Sequence, residues 1–174
     1  MKLPWLSPTA VTALQVSTRA GVAAALALFF ARQLNLQFPV YALIAAIIVT
    51  DLSPARTRGL ALQRLLGTLL GATLGAAISA ATSAGSQSAS LTVALAVVST
   101  MLISHLFRIP AAARLAGYVC AIVLVNFNDH PWTYAAYRSI ETLLGIATAV
   151  CVSFVPKLIK VDADLTTKSM HAQK

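Results

Sequence analysis

Arg64-Leu-Leu-Gly-Thr-Leu-Leu-Gly71 returns 74 positions later as Arg138-Ser-Ile-Glu-Thr-Leu-Leu-Gly145, with the arginine, the threonine, both leucines and the second glycine in register. Leucine matches count for little in so apolar a chain, so arginine, threonine and glycine carry the repeat. Arg64, Thr68, Gly71 and Gly75 are spaced four, three and four apart, which sets them on one stripe of a helix. Thr142 and Gly145 repeat that stripe after Arg138. A chain that repeats such a stripe reads as two copies of one helical unit.

The surroundings of both copies read as membrane. Of the 174 residues, 58% are hydrophobic and 10% charged, where a soluble domain carries roughly a quarter charged residues. Apolar runs of about 17 to 25 residues match the helices that cross a hydrocarbon core of about 30 Å. Six candidate spans follow, over about 11–31, 38–52, 60–82, 89–107, 111–127 and 135–155, with a polar turn at Gly85-Ser86-Gln87-Ser88. The expected fold is all-α: a six-helix transmembrane domain over residues 1–156, in two three-helix repeats (about 10–82 and 89–156), and a short charged tail over 157–174.

Short loops rich in Lys and Arg stay in the cytoplasm. The amino terminus (Lys2, Arg19), the second-to-third loop (Arg56, Arg58, Arg64), the fourth-to-fifth loop (Arg108, Arg114) and the tail (Lys157, Lys160, Lys168, Lys174) hold eleven of the thirteen basic residues, and Arg32 and Arg138 fall on the other side. Both termini are therefore expected in the cytoplasm of an inner-membrane protein. The net charge of +8 reads as topology and contact with anionic lipid, with no call for nucleic acid. Phe29-Phe30-Ala31-Arg32 offers no cleavage site, so the first helix is expected to stay. Cys120 and Cys151 lie inside spans, without partners at metal-ligand spacing, and read as small apolar residues.

Three helices per copy is an odd number, so the second copy enters the membrane from the opposite side. Leu36-Gln37-Phe38-Pro39 leads into the second helix as Phe107-Arg108-Ile109-Pro110 leads into the fifth, and Asp51 and Pro54 are echoed by Asp129 and Pro131, in an alignment that needs gaps. Inverted repeats let two halves rock around a site near the midplane. The architecture points to moving a solute.

Several residues are candidates for that work, each with a structural reading beside the functional one. Gly67, Gly71 and Gly75 form a tandem small-xxx-small run that reads as a packing surface, for a helix of the same chain or of a second subunit. The second copy keeps Gly145 but replaces Gly67 with Glu141 and Gly75 with Ala149, which suggests that the copies have specialised. Arg64 and Arg138, near span ends, read structurally as a snorkelling arginine and as an i to i+3 pair with Glu141. Functionally they are anion-attracting guanidiniums on faces lined by Thr68 and Thr142, suited to bidentate contact with a carboxylate. Arg19, inside the first span, either joins that pathway or marks an amphipathic lead-in at the surface. Pro39 and Pro110 open the shortest spans, as they would at a transport site or at any helix start. Asp51 reads as an ion pair with a neighbouring arginine or as a proton-coupling group. His105, His130, Trp5, Trp132 and Tyr134 read as interfacial. No catalytic constellation, metal cluster or cofactor loop is visible, and no enzyme is expected.

Phe38-Pro39-Val40-Tyr41-Ala42-Leu43-Ile44-Ala45-Ala46-Ile47-Ile48-Val49-Thr50, the Ser53-Pro54 turn and Gln63-Arg64-Leu65-Leu66-Gly67-Thr68-Leu69-Leu70-Gly71 resemble the membrane domain of the fusaric acid resistance or aromatic acid exporter family, distantly like plant aluminium-activated malate transporters. The resemblance implies export of small organic anions, aromatic or other carboxylates, by a homodimer with arginines such as Arg64 near the pathway. An anion channel and a non-transporting scaffold or accessory subunit are the alternatives.

Overall fold

A computed structural model describes residues 8–82, 89–126 and 130–155. The Gly85-Ser88 turn, Asp129, Lys2, Trp5 and the 157–174 tail lie outside the described residues. Those described form six helices and no strand: α1 (Pro8–Gln33), α2 (Val40–Val49), α3 (Pro54–Ala81), α4 (Ala89–Leu106), α5 (Pro110–Asn126) and α6 (Pro131–Ser153). Of these, α1, α3 and α6 are long and apolar enough to cross a membrane, whereas α2, α4 and α5 are shorter apolar helices. With ten residues, α2 rises only about 15 Å, half of a hydrocarbon core.

Helices α3 and α6 begin six and four residues before their expected starts, at Pro54 and Pro131. Proline at the first helical position loses no hydrogen bond, because the amide it lacks has no partner there. The turns added to α3 carry Arg56 and Arg58, so there hydropathy locates the hydrocarbon and not the helix. The turn before α3 is held by Asp51, whose carboxylate accepts from the Ser53 amide at 3.1 Å and meets Arg56 at 3.6 Å.

Both α1 and α4 end in the same way. The Leu36 amide returns to the Ala31 carbonyl and the Ile109 amide to the Ser104 carbonyl, each at 3.0 Å, with Asn35 (φ 50°) and Arg108 (φ 59°) in the left-handed position between. This is the Schellman stop usually given to glycine.

The long helices α3 and α6 pack against each other and form the centre. Helix α5 lies along α3 and α2 along α6, while α4 covers α5 and α1 covers α2. Alanine and glycine make the close approaches. A Cβ at Gly71 would collide with the carbonyl oxygen of Ala116, and one at Gly145 with that of Ala42. Gly145 follows Gly71, and Ala116 follows Ala42, by the same 74 positions. Gly67 and Gly75 sit against Leu115 and Val123, so the glycine run packs within one chain, on α5. Outside, Leu14, Phe29, Leu91, Leu95, Leu102 and Phe107 are exposed, while alanines such as Ala27, Ala46, Ala72 and Ala116 are fully buried. Small residues inside and large apolar ones outside are the arrangement expected where lipid is the solvent.

Candidate functional site

At the α3–α6 contact the repeated polar residues are enclosed. Arg64 and Thr68 on α3, and Arg138, Glu141 and Thr142 on α6, are each no more than 3% exposed. Arg64 lies ten residues into α3 and Arg138 seven into α6, which is about 15 and 10 Å along the axes. Packing walls both arginines in, Arg64 where snorkelling was the structural expectation.

Each guanidinium is met by a tyrosine of the helix that flanks its own. Arg64 on α3 donates Nη1–H to the Tyr118 hydroxyl of α5 at 2.5 Å, its guanidinium 5.7 Å from the ring centre. Arg138 on α6 stacks over Tyr41 of α2, 3.3 Å from the ring centre. Ring faces attract cations, yet they satisfy no N–H. Among the described residues Nε and Nη2 of Arg64, Nε and Nη1 of Arg138 and the hydroxyls of Thr68 and Thr142 have no hydrogen-bond partner.

Glu141 does not pair with Arg138. Among the described residues no ion pair joins them; Glu141 Oε1 accepts the Phe38 amide at 2.6 Å, and Oε2 is buried without a partner. Phe38 leads into α2, where amides lack intrahelical acceptors and the helix dipole favours a negative charge. That end of α2 outcompetes the local i to i+3 contact, while Tyr41 holds Arg138 aside. Arg138 nonetheless lies within electrostatic reach of both Arg64 and Glu141.

An aromatic wall adjoins this cluster. Phe38 and Tyr41 of the α2 approach meet Tyr134 of α6 at ring separations of 5.3 and 6.3 Å, and the Tyr134 hydroxyl donates to that of Tyr41 at 3.1 Å. Tyr134 had been expected at the interface, but it is buried. The roles of Phe38, Tyr41 and Tyr118 escaped the sequence reading. The available signal was a tyrosine hydroxyl inside an otherwise aliphatic helix, which needs a polar partner.

The remaining candidates lie elsewhere. Arg19 faces the end of α6, where Nη2 donates to the Val155 carbonyl at 2.5 Å, so it is not brought to the α3–α6 cluster. Asp51 is engaged with Ser53 and exposed Arg56. His105 is exposed and bonds the Met101 carbonyl, and His130 is exposed. Cys120 is buried, Cys151 exposed, and both are free. Among the described residues no group of three or more His, Cys, Asp or Glu could hold a metal.

Membrane-length helices, lipid-facing apolar side chains and an enclosed polar centre define an integral membrane protein of the helical class. The chain belongs to the fusaric acid resistance protein-like family, which matches residues 22–152. That region takes in the whole α3–α6 cluster and starts just after Arg19. No curated protein and no solved structure matches the chain. Membership associates the chain with membrane transport in place of catalysis.

Proposed function

We propose that the chain exports small organic carboxylate anions, aromatic ones among them, across the inner membrane, with Arg64 and Arg138 as the anion-binding pair. The observation that carries this reading is the pair of enclosed guanidiniums, each with two N–H groups unpartnered among the described residues. Burying a charge without its counterion costs several kcal/mol or more, and a bound carboxylate supplies both the missing charge and the missing acceptors. Thr68 and Thr142 add hydroxyl donors, and the faces of Phe38, Tyr41 and Tyr134 suit the ring of an aromatic acid. Glu141 then acts as a negative gate beside Arg138 and a candidate for proton coupling, while Asp51 serves the α3 turn.

Two inverted repeats fit the transport reading. The same helix pairs touch when α1–α3 are exchanged for α4–α6, though not to the same extent: α3 on α5 becomes α6 on α2, and α4 on α5 becomes α1 on α2. The glycine-to-carbonyl contacts keep the 74-residue spacing of the sequence repeat. Such halves rock about a shared centre, here the α3–α6 contact, to open it to either side in turn. Arg56 and Arg58 at the start of α3, and Arg19 beside the end of α6, support cytoplasmic termini. Tight packing of the glycine run inside one chain leaves the lipid-facing surfaces for a homodimer contact.

The test uses purified protein in liposomes loaded with labelled benzoate or a dicarboxylate. Efflux that saturates with substrate, follows an imposed proton gradient or potential, and falls at least about tenfold in Arg64→Ala and in Arg138→Ala supports the proposal. Equal flux in wild type and both variants would sink it, and single-channel conductance would replace the transporter with a channel.

A further inference from the structure

Arg19 stands apart from the α3–α6 cluster and precedes the family match, which begins at Val22. Its Nη2 is committed to the Val155 carbonyl, just past the end of α6, and among the described residues its buried Nη1 has no hydrogen-bond partner. From Arg19 a cleft of about 320 Å³ runs between α1 and α6, lined by Val22, Leu26, Cys151 and Val152. Val22 and Leu26 follow Arg19 by three and seven residues, so the apolar wall extends about 10 Å from the charge. Arg58 reaches the same end of the bundle, its guanidinium 5.7 Å over the ring of Phe154. The cleft opens on the lipid face, where Val22, Leu26 and Cys151 are all exposed.

We propose that this cleft binds one anionic phospholipid of the surrounding bilayer, its phosphate on Arg19 and one acyl chain along Val22, Leu26 and Cys151. Charge at the bundle end and an apolar wall towards its middle match the polarity of half a bilayer. Arg19 and Arg58 together favour a net negative headgroup over a zwitterionic one, whose own cation they repel. A free phosphate satisfies Arg19 but leaves the apolar wall empty. The bound lipid bridges α1 to the end of α6 through Arg19, which already touches both.

Native mass spectrometry of the full chain, exchanged into detergent with phosphatidylglycerol or phosphatidylcholine, reads this directly. The expected result is one retained phosphatidylglycerol, little retained phosphatidylcholine, no displacement by millimolar inorganic phosphate, and about tenfold weaker retention in Arg19→Gln. Val22→Trp fills the cleft, leaves Arg19 in place, and gives the same loss. It decides the matter alone if Arg19→Gln fails to fold without its bond to Val155. Equal retention of both lipids, displacement by inorganic phosphate, or undiminished retention in Val22→Trp overturns the proposal.

Discussion

Arg138 sits over the Tyr41 ring, 3.3 Å from its centre, and that position separates arginine from lysine. A planar guanidinium can stack on a ring and still direct N–H groups sideways to a carboxylate, whereas an ammonium is a point charge on a flexible stem. Arg138→Lys is therefore expected to lose most of the efflux that Arg138→Ala loses, while Tyr41→Phe, which keeps the ring face, retains it; liposome efflux rates compare the three. Glu141 gives a second residue-scale expectation. Glu141→Ala removes the acceptor of the Phe38 amide and should cost about 1–3 kcal/mol, whereas Glu141→Gln keeps an acceptor and should cost less. Apparent melting temperatures in detergent test the order, and equal losses would mean that the 2.6 Å bond contributes nothing. The Arg-Thr-Gly stripe was legible because helical spacing needs only one helix. What Arg138 and Glu141 touch was not, because Tyr41 and Phe38 are brought to them by the docking of α2, a contact between positions about a hundred residues apart.

At the scale of helices, glycines separate into those that seat a neighbour and those that do not. Gly71→Ala and Gly145→Ala each drive a methyl group into a backbone carbonyl and should lower stability by about 1–3 kcal/mol or abolish folding. At Gly21 and Gly59 an added Cβ meets nothing within 4 Å, so alanine there should be neutral or stabilising by up to about 1 kcal/mol. Fluorescence-detected melting of the four variants checks the split. Arg108, left-handed at φ 59°, gives the opposite sign: Arg108→Gly should relieve about 1 kcal/mol of strain and raise the melting temperature. The apolar cores of the helices were readable from hydropathy, since lipid imposes that pattern directly. The start of α3 was not, because a proline-opened turn carrying Arg56 and Arg58 continues that helix beyond the hydrocarbon without any apolar signal.

For the whole molecule, the question the sequence poses most sharply is whether ten-residue α2 crosses. If it does, Asn35 and Ser53, both exposed beyond its ends, face opposite compartments. In a chain carrying Cys120→Ala and Cys151→Ala, a membrane-impermeant maleimide should label Asn35→Cys from outside and Ser53→Cys only after the membrane is opened. Labelling of both from one side would make α2 a re-entrant helix and undo the six-span reading. The seating of Gly71 on a carbonyl of α5 also has a mechanical consequence. If α3 rocks as proposed, this contact, which has no side chain between the two backbones, is the point it turns about, and Gly71 is set off-centre in α3, 17 residues from Pro54 and ten from Ala81. The arms are unequal, about 25 and 15 Å. A tilt of about 10° swings the Pro54 tip by about 4 Å and the other by less than about 3 Å. Leverage therefore favours the end that carries Arg56 and Arg58, so for one rotation of α3 that end travels more than half as far again as the other.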